Sequence, residues 1–373
     1  MKSIELFNID MKIIFSVFLS LCALHINAQN AEIKPINYFA KLIWQNDLDF
    51  KEVLPAVKGN YAHLYGSILD VTTGAKLSSE GNVGVFSDQY IVYSTDLKLH
   101  ALSLEVNGDS IENTRKRAYY IGENKIHSVK DSIWVDIVDD YLIEGINLKT
   151  NAKLWQTKSD SRIFNCPIIN GDRVLVVNES TLMILNKRNG NPVSRYSIGG
   201  KVLSGMKISD DCVYMVVKDI GLVAFDLMKN EVIWTYPLGR YASKKNRIAY
   251  DDRYVYVTDN SLFALDKESG VLKWTIDETD NGYIEKTELT VIKDFLLFYL
   301  YEEGDQFLTV ADKKSGSIIY QGLNSALIGK DSEVNDYETN ENRMMMHFSS
   351  EVVNGDIIIG VLDDKIYGFK LMK

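Results

Sequence analysis

The chain has 373 residues, 46% of them hydrophobic and 25% charged, with 5 prolines, which is the composition of a folded globular protein and not of a disordered one. Its formal charge is −10, from 41 Lys+Arg against 51 Asp+Glu, and the longest basic run is Arg115-Lys116-Arg117. A nucleic-acid partner, which needs a basic face against phosphates, is disfavoured. The length accommodates two average domains or a single closed all-β structure.

In chain order, the first element is a leader. Lys12 precedes a largely apolar run from Ile13 to Leu24, followed by a short polar stretch and the small Ala28. Residues 1–28 are predicted to be a secretory signal peptide, too short to anchor in a bilayer, with Met11 as an alternative start. The mature chain, 29–373, is then periplasmic or secreted. Cys22 would allow a lipid anchor, but Leu21 stands where a lipobox carries a small residue. The mature chain keeps only Cys166 and Cys212, too few for a disulfide scaffold; whether they pair is not set by spacing.

Next comes Lys41-Leu42-Ile43-Trp44, a Trp-bearing strand with no partner strand before it. A repeat follows. A short polar residue, Asp70, Ser103, Asn147, Asn186, Asp226, Asp266 or Asp312, is followed four positions later by Gly74, Asn107, Asn151, Gly190, Asn230, Gly270 or Gly316. Gly and Asn enter the left-handed backbone region at least cost, so each of these positions reads as a tight hairpin turn. The polar side chain before the turn can accept its backbone amides. Eight positions after it lie Ser78, Ile111, Trp155, Ser194, Trp234, Trp274 and Tyr320, in the second strand of each hairpin. A large flat ring there can wedge against a neighbouring sheet, opposite a small residue such as Ala224 or Ala264. Further apolar runs, such as Val174–Val177 and Tyr254–Val257, precede the hairpins and supply the inner strands. The period of about 40 residues is that of a four-stranded propeller blade.

The last element, Ile366-Tyr367-Gly368-Phe369-Lys370, reads as the first strand of one more hairpin, and the chain stops before its partner. Together with the strand at Trp44 it would complete an eighth blade and leave no exposed edge. The unit from Trp44 to Asp70 is cramped, so seven blades is the alternative count.

The frame from Ala264 through Asp266 and Gly270 to Trp274 resembles the Trp-docking motif of the pyrroloquinoline-quinone-like (PQQ-like) β-propeller repeat family, over nearly all of the mature chain. The resemblance implies one all-β propeller with Trp44, Trp155, Trp234 and Trp274 and the turn residues Gly74, Gly190, Gly270 and Gly316 as its structural repeat. The family includes quinone-dependent dehydrogenases, which bind their cofactor with calcium ligands, a stacking Trp and a vicinal cysteine pair. No such pair exists here, so PQQ is not expected. The family also includes a propeller lipoprotein of the outer-membrane β-barrel assembly machinery, similar in size and blade number.

Candidates for other chemistry are sparse. His63, His100, His127 and His347 sit in no nucleophile context and read as structural, and Met344-Met345-Met346 as packing rather than a soft-metal site. The stretch from Asp277 to Glu288 has Asp277, Asn281 and Glu288 at calcium-loop positions, with Gly282 between them. A strand rather than a helix precedes it, and Thr279 is a weak ligand, which favours an acidic connection between blades. Lys330 to Arg343 makes the last unit the longest and reads as a surface loop. The reading is a non-catalytic envelope scaffold that binds an envelope or secreted protein, with outer-membrane protein assembly as its candidate setting. The alternative is a quinone-dependent or other envelope enzyme using the propeller channel.

Overall fold

The computed structural model describes residues 40–47, 56–58, 61–64, 67–78, 82–86, 90–95, 98–103, 110–113, 128–150, 152–163, 165–239, 247–277, 282–284, 289–302, 305–322, 347–348, 356–362 and 365–372. All regular structure among them is β, arranged in eight antiparallel sheets. No helix among these residues is long and apolar enough to cross a membrane.

The fifth sheet shows the plan: Lys207–Ser209, Cys212–Val217, Gly221–Asp226 and Glu231–Tyr236 follow one another as a four-stranded meander. The same order holds in the first sheet (residues 56–78), second (82–113), third (128–158), fourth (168–197) and sixth (248–276). The seventh (282–322) has five strands. The cramped unit after Trp44 thus forms a sheet of its own. In the eighth, Ala40–Asp47 pairs antiparallel with Lys365–Leu371 and sets Trp44 opposite Gly368, while Ile357–Leu362 and His347–Phe348 continue the sheet on its other side.

The central strands are continuous apolar runs because both of their faces are covered. Along Cys212–Val217 the side chains alternate: Val213, Met215 and Val217 pack on Leu175 and Ile184 of the fourth sheet. Tyr214 and Val216 pack on Val255 and Val257 of the sixth. Equivalent apolar seams join the third sheet to the fourth, the sixth to the seventh, the seventh to the eighth, and the eighth to the first. The core is therefore a series of seams. The short first strands of successive sheets also touch: Ala56–Lys58 with Asn82–Phe86, that strand with Ser128–Lys130, and Ser128–Lys130 with Ile168–Asn170.

Candidate functional site

The predicted turn takes the same form wherever the structure describes it. The amide of the fourth residue bonds to the carbonyl of the reference residue at 2.8 Å in Gly74→Asp70, Gly190→Asn186, Asn230→Asp226, Gly270→Asp266 and Gly316→Asp312. All five turn residues have positive φ, between 61° and 73°. The reference side chain accepts the amides inside the turn, as Asp312 accepts those of Lys314 and Ser315 and Asn186 those of Arg188 and Asn189.

Each of the four motif tryptophans stands in the outer strand of one sheet and reaches the turn of the next. Trp155 donates its indole N–H to the Lys187 carbonyl at 2.6 Å, Trp234 to Lys267 at 3.1 Å, Trp274 to Lys313 at 3.1 Å and Trp44 to Val71 at 3.0 Å. The acceptor is always the residue directly after the reference Asp or Asn. Behind the ring lies a small residue of the same sheet: Gly145 for Trp155, Ala224 for Trp234, Ala264 for Trp274 and Gly368 for Trp44. In front of the Trp155, Trp234 and Trp274 rings lie the turn glycines of the next sheets, Gly190, Gly270 and Gly316, and a Cβ added at Gly270 would sit 2.6 Å from the Trp234 ring.

This contact explains why the turn residue varies. Gly74, Gly190, Gly270 and Gly316 each follow a sheet that carries Trp; Asn107, Asn151 and Asn230 follow sheets that carry Ser78, Ile111 and Ser194. Left-handed backbone admits either residue, but an indole across the seam admits only Gly. The pattern is present in the sequence and is missed when each repeat is read alone.

Tyr320 takes the Trp position of the seventh sheet and is buried, but its hydroxyl finds no hydrogen-bond partner among the described residues. Burial pushes its phenol up to about 12. A buried hydroxyl without a partner opposes folding. Tyr320→Phe is therefore expected to leave the denaturation midpoint unchanged or raise it, and a loss above about 1 kcal/mol would show that the hydroxyl is bonded after all.

Three of the reference aspartates, Asp70, Asp226 and Asp266, are held in their charged form. For Asp266 the Ser269 hydroxyl, then Lys273, lower the carboxyl to about 2 from an ordinary 3.8. Asp70 is lowered mainly by the Thr72 hydroxyl, and Asp226 mainly by the Lys229 amide. A carboxyl depressed in the folded state stabilises above its unfolded value, and that contribution is lost as pH falls through the folded value. Unfolding followed from pH 5 to pH 2 should thus show a steeper decline in the parent than in Asp266→Asn, which keeps the acceptor as Asn147 and Asn186 do. Parallel pH profiles would rule out this contribution.

A second clasp was not anticipated. In the connections between sheets, the buried Ile163, Val202 and Ile284 donate their amides to carbonyls of the preceding sheet's central turn: Asp140 at 2.6 Å, Glu179 at 2.7 Å and Asn260 at 2.7 Å. Each also pairs with the second strand of the sheet that follows, opposite Asn178, Val217 and Leu300. The stretch read as an acidic connection therefore contains a strand, Gly282–Ile284, along the edge of Phe295–Glu302.

Of the candidate calcium ligands, Asp277 accepts the Thr275 hydroxyl at 3.0 Å, whereas Asn281 and Glu288 lie outside the described residues. Among the described residues no three His, Cys, Asp or Glu side chains come together as a metal site. Cys166 and Cys212 are half-buried and joined by no disulfide. Burial pushes the Cys212 thiol up, away from thiolate reactivity. The backbones of His63, His100 and His347 lie in strands; His127, Met344 to Met346, Lys330 to Arg343 and the leader lie outside the described residues.

Comparison with known proteins places this arrangement. The family model described as outer membrane protein assembly factor BamB matches residues 178–336. The crystal structure of BamB from Moraxella catarrhalis superposes with a TM-score of 0.59 at 14% identity, over 89% of this chain and 99% of that one. The computationally designed Ika8 protein superposes with a TM-score of 0.62 at 13% identity, over 87% and 98%. At such identities the likeness is one of fold. No curated protein matches the chain in sequence. With the Trp-to-turn docking repeated across the sheets, the chain is similar to the PQQ-like β-propeller family over residues 178–336 and shares the propeller fold of BamB.

Proposed function

We propose that this chain is a non-catalytic scaffold of the cell envelope, exported by its leader, that docks a protein partner during outer-membrane protein assembly. The observation that carries the reading is the match of residues 178–336 to the BamB family model, joined to a fold likeness that spans nearly the whole of BamB. In this reading the sheets are eight blades of one ring, closed where Ala40–Asp47 pairs with Lys365–Leu371. A closed ring of blades offers rigid faces on which connections of different length can be displayed.

The test is affinity capture of the tagged full-length chain from envelope extracts of its native host, with mass spectrometry. Enrichment of barrel-assembly components over an unrelated exported bait is expected. An exported, folded bait that captures none of them overturns the assembly role. A saturable rise in melting temperature with PQQ and calcium would overturn the non-catalytic reading in favour of a cofactor protein.

A further inference from the structure

The residue that accepts the Trp indole has a side chain of its own to place, and in three sheets it is lysine. Lys187, Lys267 and Lys313 directly follow Asn186, Asp266 and Asp312. Each reaches back to the preceding sheet. Lys187 Nζ lies 2.7 Å from Asp131, Lys267 Nζ 3.1 Å from Asp210 and Lys313 Nζ 3.2 Å from Asp251. The lysines are largely covered: the Lys187 side chain is 5% exposed, and among the described residues its other acid within 4 Å is Asp172 of its own sheet, at 3.9 Å. An ammonium buried this far is costly unless an acid meets it.

The three acids occupy one position as well. Asp131, Asp210 and Asp251 directly follow the first strands Ser128–Lys130, Lys207–Ser209 and Ile248–Tyr250. At the other seams both positions change together. Leu104, Leu148 and Leu227 stand at the lysine position, and Gly59, Ser87 and Gly171 at the matching acid position of the sheet before. At the seam from the seventh sheet to the eighth, Leu371 faces a sheet with Lys293 at the acid position; its amide bonds to Asp356 as that of Lys187 bonds to Asp172. Lysine occurs where the preceding sheet offers aspartate; at the other seams the position holds leucine, or valine at Val71.

We propose that this Lys–Asp pair is a seam latch, a charge code in which one sheet recognises its neighbour and is held in register beside it. Burial of apolar surface is non-directional and would accept several sheet orders. A buried cation that is tolerated only beside an acid discriminates between them. The latch is distinct from the indole contact, because Trp44 docks on Val71, where no lysine is available.

The seam between the fourth and fifth sheets allows the code to be transplanted. Gly171 has φ of 58°, beside 52° at Asp131 and 54° at Asp210, and a Cβ there meets nothing within 4 Å. In the full-length chain, Leu227→Lys alone should lower the unfolding midpoint and Gly171→Asp alone should change it little. Their combination should raise the folding equilibrium constant at least about tenfold over Leu227→Lys. A double variant no more stable than the two single effects added together overturns the code.

At the native seam, Asp131→Asn should cost more than the same change made in Lys187→Met, with a coupling of at least about fivefold in the equilibrium constant. Asn suits the left-handed backbone at position 131, so folding is not lost to strain. Additivity in this cycle overturns the pairing itself.

Discussion

Trp234→Ala is expected to lower the unfolding free energy by about 3–5 kcal/mol in chemical denaturation of the full-length chain, a large part of the stability of an ordinary domain. Three losses combine. The ring fills the space between Ala224 and Gly270, so truncation leaves a cavity at a seam. It also packs at 5.8 Å from the Tyr214 ring. Finally, loss of its indole N–H leaves the Lys267 carbonyl unsatisfied. Trp234→Phe separates these effects: it keeps most of the apolar area but not the donor, and about 1–2 kcal/mol should be lost on that account. Ser194→Ala, at the equivalent position of a seam without an indole, should stay within about 0.5 kcal/mol. Equal midpoints for Trp234→Ala and Ser194→Ala would show that the indole does not hold the seam.

Gly270→Asn tests why glycine is confined to the turns that face an indole. Asn230 holds the same turn position at φ of 61°, so the backbone does not forbid the change. What forbids it is the Trp234 ring, 2.6 Å from a Cβ at position 270, and overpacking of this kind costs about 1–3 kcal/mol. Asn230→Gly, where the preceding sheet offers only Ser194, should move stability by less than about 1 kcal/mol. The decisive variant is Trp234→Ser with Gly270→Asn, which reproduces the pair of residues at the seam between the fourth and fifth sheets. Its cost should fall clearly below the sum of the single costs, because the indole that the introduced amide side chain would strike has gone. Strict additivity would mean that the glycine answers to the turn alone.

Both predictions rest on the pairing of one repeat with the next, and that is where sequence reading reaches its limit. The turns at Asp70, Asn186, Asp226, Asp266 and Asp312 are legible because every interaction that makes them lies within five residues. The strands are legible because apolar alternation is local. Seam partners are remote: Trp155 bonds a carbonyl 32 residues away and Lys187 an acid 56 residues away. Nothing in either stretch read by itself names the other. The same holds for Gly282–Ile284, whose acidic flanks suggest a loop. Its buried Ile284 becomes a strand residue only because the turn at Asn260 and the edge at Leu300 both offer it backbone partners.

An all-β chain of hairpin repeats, a turn that allows only Gly or Asn, and a Trp that must leave its own sheet are all written in the order of the residues. Those features follow from backbone sterics and side-chain period, which each segment carries with it. Which turn each indole meets, which lysine faces which aspartate, and that the Tyr320 hydroxyl has no acceptor among the described residues emerge only from the assembled sheets. Such facts belong to the seams, where two sheets must fill one space and satisfy each other's polar groups, and a seam exists only once both sheets are in place.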